Sequence, residues 1–282
     1  MQAHWPVAVS SGCCRRSSLP AVLQALVDAG AARVEIGTPP EHFDAENRMQ
    51  PWVLAPMLGR VPIEPISIHA PFGPRMDLAS ENQATREAGV EAALMAARTL
   101  INHPGAVLVV HPSDLVREGG HTRARLRHAL ESLLQIDAAC RDLSLRLAVE
   151  TPLPHLVGGH PEELQWLLER LPPAVGMCLD TGHAHLGRFI DAFIDMAGGR
   201  LAHVHMHDNR GTHDDHLIPG EGAIDWGTFF DGLRRVHYAG ALVLELSCDS
   251  PSSAYFRAAL DAAGRLCLTH APPLLPRPAA AL

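Results

Sequence analysis

Short apolar runs recur along the chain, and most of them stop at a polar residue. These runs predict strands at 6–10, 33–37, 65–69, 106–111, 146–150, 175–180, 201–206 and 241–246. They are short and nearly continuous in apolar residues, as strands covered on both faces must be. The stretches between them carry helical spacing. In 82–102, Val90, Leu94, Ala97 and Ile101 recur at intervals of three and four, which gives one apolar face. Ser80 and Gln83 have the spacing of a capping box in front of that helix. In 122–142, Leu126, Leu130, Leu133 and Asp137 form a similar stripe with a polar break. Pro161, Glu162 and Glu163 read as a helical first turn, with Leu164, Leu167, Leu168 and Leu171 facing the core. Asp225 is a candidate cap for 226–236, and 252–268 is a last helix.

Strand and helix in alternation predict parallel strands with helical crossovers. Eight such units predict an α/β fold closed into a (β/α)8 TIM barrel, a single domain over 1–271 with a Pro/Ala-rich tail at 272–282. No Gly-rich phosphate turn follows an early strand, which argues against an open, doubly wound sheet.

Composition narrows the function. The formal charge is -8, and all 23 basic residues are arginine. An acidic chain without a basic stripe is not expected to bind DNA. Without lysine there is no Schiff-base mechanism. The six cysteines form no C-x-x-C pair, so buried thiols in a reducing compartment are expected, with Cys13 and Cys14 as packing residues. No basic-then-apolar leader opens the chain, and no apolar run approaches the ~20 residues of a membrane span. The expectation is a soluble, cytoplasmic protein with no membrane partner.

The polar residues at the run ends carry the chemistry. His69, His111, Glu150, Asp180, His205 and Glu245 close strands three to eight in turn. In a TIM barrel those ends share one mouth, where catalytic groups sit. His183 follows Asp180 closely, and Asp214 and His216 lie in the loop after strand seven. Imidazole with carboxylate suits zinc, manganese or iron, and the lack of thiolate disfavours a structural zinc. These donors are too many for one tetrahedral ion and sufficient for three if one carboxylate bridges. His203 and His207 share the strand side of His205. Glu35, at the end of strand two, is either a substrate contact or a buried, hydrogen-bonded carboxylate. Arg15, Arg16, Arg75 and Arg210 fall in candidate mouth loops and could pair phosphate oxygens.

The stretches S-I-H-A-P-F-G, V-H-P-S-D, V-E-T-P, C-L-D-T-G-H-A, H-V-H-M-H-D-N-R-G, D-D-H-L-I-P-G-E-G-A-I-D-W and L-E-L-S resemble the xylose-isomerase-like barrel superfamily. That superfamily includes endonuclease IV and the sugar-phosphate isomerase/epimerase proteins. The resemblance runs from about residue 33 to residue 250. Its endonuclease IV branch implies three zinc ions. Glu150 would bridge two of them, with His69 and His111 on the first and Asp180, His205 and Glu245 on the second; His183, Asp214 and His216 would hold the third. Its isomerase/epimerase branch implies one divalent ion on Glu150, Asp180, His205 and Glu245, with the two glutamates as acid and base.

The segment after His69 and the 5% aromatic content depart from the endonuclease pattern, because a flipped nucleotide needs stacking groups. The first expectation is therefore a zinc-dependent phosphoesterase or phosphodiesterase acting on a small, phosphate-bearing molecule. The alternative is a sugar or sugar-phosphate isomerase/epimerase, and a third class is a non-enzymatic metal or ligand binder.

Overall fold

The computed structural model describes residues 5–38 and 51–270. The expected tail at 272–282 lies outside the described residues. Eight parallel strands close into a barrel in chain order. They are β1 (Val7–Ser10), β2 (Arg33–Ile36), β3 (Glu64–His69), β4 (Val107–Val110), β5 (Arg146–Glu150), β6 (Gly176–Asp180), β7 (Leu201–Met206) and β8 (Leu242–Leu244). Closure is made by β8 on β1, with Val7 opposite Leu242. The helices are α1 (Leu19–Ala29), α2 (Pro51–Leu58), α3 (Gln83–Thr99), α4 (Thr122–Asp142), α5 (Pro161–Leu168), α6 (Thr181–Gly187), α7 (Ile190–Ala197), α8 (Trp226–Arg235) and α9 (Ser253–Thr269).

Side chains alternate across a strand, and here the two phases have different fates. Val34, Ile36, Ile68, Leu108, Val110, Leu147, Val149, Met177, Leu179, Val204 and Met206 point outward into the large core under the helices. The opposite phase points into the barrel. Part of it is a small apolar plug of Val107, Val109, Ala148 and Cys178. The rest is polar: Glu35, Ser67, His203 and His205 are all buried there. The inward phase also contains the donors at the strand ends, so the alternation that builds the wall sets the metal-ligating side chains over the mouth.

Several local expectations are corrected. Asn82, not Ser80, caps α3, accepting from the N–H groups of Ala84 and Thr85. Ile101 lies past the end of α3 and is exposed, so the apolar face ends at Ala97 and Leu100. The helix α2, with Pro56 inside it, has no counterpart in the sequence reading. Asp225 does cap α8, accepting from Thr228 N.

The cysteines also differ from expectation. Cys14 and Cys248 form a disulfide across 234 residues, with their Cα atoms 5.1 Å apart. Barrel closure brings the loops after β1 and β8 together, a proximity that linear spacing does not show. Cys13, Cys140, Cys178 and Cys267 are buried thiols as expected. Among the described residues, no helix is long and apolar enough to cross a membrane.

Candidate metal centre

The expected donors converge at the mouth. His69 Nε2 lies 2.8 Å and His111 Nε2 3.4 Å from Glu150 Oε2. The other carboxylate oxygen, Glu150 Oε1, is 3.3 Å from His205 Nδ1, which is also 3.3 Å from Glu245 Oε2 and 4.0 Å from Asp180 Oδ2. Asp214 Oδ2 is 3.3 Å from His183 Nε2 and 3.1 Å from His216 Nε2. The nine residues thus form three neighbouring groups, two of which share Glu150 while the third meets at Asp214.

The hydrogen bonds show which nitrogen each imidazole offers. A backbone carbonyl oxygen can only accept, so a ring nitrogen facing one carries the proton, while a nitrogen facing a carboxylate can give its proton up to a metal ion. His69 Nδ1 donates to the Ala70 carbonyl, His183 Nδ1 to the Thr151 carbonyl and His216 Nδ1 to the Glu245 carbonyl. His111 Nδ1 donates to Asp114. In every case the outer nitrogen is tied down and the inner one is aimed at a carboxylate, the arrangement that orients histidine for a metal ion.

His205 makes the fit more demanding. Its Nδ1 is buried without a hydrogen-bond partner, and so is Asp214 Oδ1. Lone pairs of Nδ1, Glu150 and Glu245 crowding one point repel unless a cation or a proton lies between them. The nitrogen and oxygen donors suit a divalent ion of the zinc or manganese type.

The electrostatics describe the metal-free site. Burial would raise the Glu150 carboxyl, yet His205, His111 and His69 hold it well below the usual carboxylate range. Asp180 is likewise opposed by burial but pulled down to about 2 by His183 and His207. Against the effect of burial, Glu150 lifts His111 to about 10 and Asp214 lifts His216 to about 9.

Residues beyond the donors hold the site together. Thr151 Oγ1 accepts from Asp180 N, and Thr181 Oγ1 donates to the His207 carbonyl, so the ends of β5, β6 and β7 are laced. His207 Nε2 lies 3.0 Å from both Asp180 oxygens. Gly182 is required for this approach, because a Cβ there would sit 2.0 Å from His207 Cε1. Asp208 accepts from the N–H groups of Asn209, Gly220 and Ile224 and from Trp226 Nε1. Its backbone pairs with Leu217, which closes the loop carrying Asp214 and His216. His216 pays for its position with φ of 49°, left-handed for a non-glycine residue. The buried Asp77 accepts from Ser113 Oγ and Asp114 N, which steadies the loop after His111. Sequence reading missed Asp208 and Asp77.

Above the donors is a cavity of about 210 Å³. Arg15, Phe72, Asp114, Leu153 and Leu156 line it together with His69, His111, Glu150, His183, Asp214, His216 and Glu245. Phe72 is half exposed and stacks on His111, with ring centroids 4.2 Å apart. The expected substrate contacts Arg75 and Arg210 do not line this cavity. Both are exposed, and the backbone N–H of Arg210 donates to Asp215. Position in a mouth loop was the only basis for naming them; Phe72, Asp214 and His216 of the same loops line the cavity, while these two arginines are exposed and off its lining. Arg16 is exposed and also off the lining. Glu35 is fully buried and does not line the cavity.

A family model described as "Xylose isomerase-like TIM barrel" matches residues 23–266. The chain is 30% identical over 220 residues to the uncharacterized protein y4fM of Sinorhizobium fredii (strain NBRC 101917 / NGR234), covering 70% of this chain and 68% of that one. It is 27% identical over 92 residues to a D-psicose 3-epimerase of Enterocloster bolteae, 28% of this chain and 29% of the epimerase. Among solved structures, a D-tagatose 3-epimerase-like protein superposes with a TM-score of 0.77 at 22% identity, covering 95% of this chain and 99% of that chain.

Proposed function

Because the chain belongs to the xylose isomerase-like TIM barrel family, we propose that it is a divalent-metal-dependent isomerase or epimerase of a sugar or a related hydroxycarbonyl compound. One observation carries this reading: Glu150 Oε1 and Glu245 Oε2 each lie 3.3 Å from the same unpartnered nitrogen, His205 Nδ1. Two carboxylates and an imidazole lone pair around one point, under a small cavity, suit an ion that binds neighbouring oxygens of a substrate. The likeness to sugar epimerases supports this order of readings over phosphoester hydrolysis, which the sequence alone put first.

In this reading Glu150, Asp180, His205 and Glu245 hold the ion. When bound, the ion would polarise a carbonyl and favour loss of a proton from the adjoining carbon. One glutamate takes that proton, and the electron pair moves toward the carbonyl oxygen. The other glutamate returns a proton to the carbon from the opposite face. Glu245 borders the cavity and is the more accessible of the two, while Glu150 lies at the floor. Phe72, Leu153 and Leu156 give one side of the cavity an apolar lining.

A second reading is favoured by the group His183, Asp214 and His216, which a one-ion isomerase does not need. It is hydrolysis of a small phosphoester with up to three zinc ions, where Arg15 could pair a phosphate oxygen.

The test is solvent deuterium exchange into the carbon beside the carbonyl of a panel of ketoses, with zinc or manganese supplied. Exchange that is lost in Glu245→Gln by roughly 10²–10⁴-fold supports the isomerase. Release of product from a chromogenic phosphodiester without any exchange would replace it with the hydrolase. His216→Ala separates the two further: it should cripple hydrolysis and largely spare an isomerase.

A further inference from the structure

Glu35 stands on β2, on the far side of His205 from the cavity. It is 0% exposed, and among the described residues its ion-pair partners are the histidines His203 and His205 rather than an arginine. A carboxylate is not buried in a barrel without compensation. Here the compensation comes from donors. Ser67 Oγ donates to Glu35 Oε2 at 2.8 Å, His203 Nε2 at 2.9 Å and His205 Nε2 at 3.2 Å. Three strands, β2, β3 and β7, thus spend their inward polar positions on this one group.

His205 is therefore approached by carboxylates at both nitrogens: Glu35 at Nε2, Glu150 and Glu245 at Nδ1. A neutral imidazole has one proton to give. If it sits on Nδ1, the Nε2 lone pair faces Glu35 across 3.2 Å inside the barrel, where nothing can intervene. If it sits on Nε2, Glu35 is satisfied and the Nδ1 lone pair is left for a cation, beside two carboxylate oxygens that also need one. We infer that Glu35 is a positioning residue that fixes His205 as the Nε2–H tautomer and thereby assigns Nδ1 to the metal ion. His203 and Ser67 serve by anchoring Glu35. Glu35 makes no contact with substrate in this arrangement; it acts through His205 and adds a buried negative charge behind the ion.

This rests on the metal reading given above, and the test distinguishes the two. The full-length protein and Glu35→Gln are each titrated with Co²⁺ against a chromophoric chelator, with the visible absorption of the bound cobalt recorded and folding checked by circular dichroism. Glu35→Gln should bind the Glu150/Asp180/His205/Glu245 ion about 10–100-fold more weakly, as expected for loss of a partner behind a ligating histidine. It should also change the cobalt spectrum, which a merely structural role would leave alone. Equal affinity and an unchanged spectrum in the folded variant overturn the role of Glu35 and leave the metal reading standing. A folded wild-type protein that binds no cobalt overturns both.

If Glu35→Gln does not fold, the wild type decides. Proton–nitrogen correlation spectra of the zinc-loaded, ¹⁵N-histidine protein should show His205 protonated at Nε2. A proton at Nδ1 overturns the proposal.

Discussion

At the scale of single residues, the site is a problem in where protons go. Without an ion, the surrounding carboxylates favour the protonated form of the His111 and His216 imidazoles. His111, at about 10, and His216, at about 9, are both raised above the ordinary 6.5. A raised folded-state value means that each contributes stability fully present below about 6.5 and lost as pH rises through about 9 to 10. We therefore expect the chelated protein to melt at a lower temperature at pH 10 than at pH 6.5. Calorimetry in EDTA checks this, and a melting temperature that holds or rises across that window would contradict it. If three zinc ions bind, loading displaces the same protons, and zinc affinity should climb over that window with release of protons into a weakly buffered solution; with a single ion on Glu150, Asp180, His205 and Glu245 these two protons stay in place.

The convergence of His69, His111, Glu150, Asp180 and His205 was legible in the sequence because each stands at an inward position closing an apolar run, whereas His183 is carried on α6. The groups that orient them were less so. Asp208 and Asp77 act on loop N–H groups that no periodicity marks. Glu35 was readable as a strand-end carboxylate, but its partner His205 lies 170 residues away. Arg75 and Arg210 were named for their loops alone and lie off the cavity lining, since a loop's place in the chain does not say which way its side chains turn.

At the scale of elements, short connections do more than the helices to shape the mouth. The start of α6 is the tightest of them. A Cβ at Gly182 would meet the His207 ring, which has no room to retreat between Asp180 and the stacked ring of His216, 4.0 Å away. Gly182→Ala should cost about 1–3 kcal/mol of overpacking and displace Asp180. Thermal melts and zinc titration would show it, and a variant with wild-type affinity would mean that the contact relaxes without effect.

The loop after β7 depends on one carboxylate. Asp208→Ala would leave the N–H groups of Asn209, Gly220 and Ile224 and the Trp226 indole without their acceptor. A buried donor left unpaired costs roughly 1–3 kcal/mol. Asp214 and His216 ride on that loop, whereas His69 and His111 do not. In the three-zinc reading, metal content per chain should therefore fall selectively at the His183/Asp214/His216 group, whereas in the one-ion reading it should hold. The helices were read well where capping chemistry is local, as at Asp225. They were read poorly at α2, whose interior proline argues against a helix by propensity alone.

At the scale of the whole molecule, alternation of strand and helix was enough to specify the barrel, because parallel strands buried on both faces leave few other topologies. What alternation cannot show is which distant segments meet at the seam between the first strand and the last. The Cys14–Cys248 disulfide lies there. A bridge spanning so much chain contributes typically about 2–4 kcal/mol. Cys14→Ser with Cys248→Ser, or reduction of the wild type, should lower the melting temperature. Arg15 adjoins one end of the bridge and Glu245 stands three residues before the other, so ligand affinity should weaken as well.

That covalent seam turns the open polypeptide into a ring through most of its length. A protease that nicks any single surface loop inside the ring yields two pieces that remain one molecule. After limited digestion, a non-reducing gel should keep the intact mass, and the same sample should resolve into fragments once thiol is added.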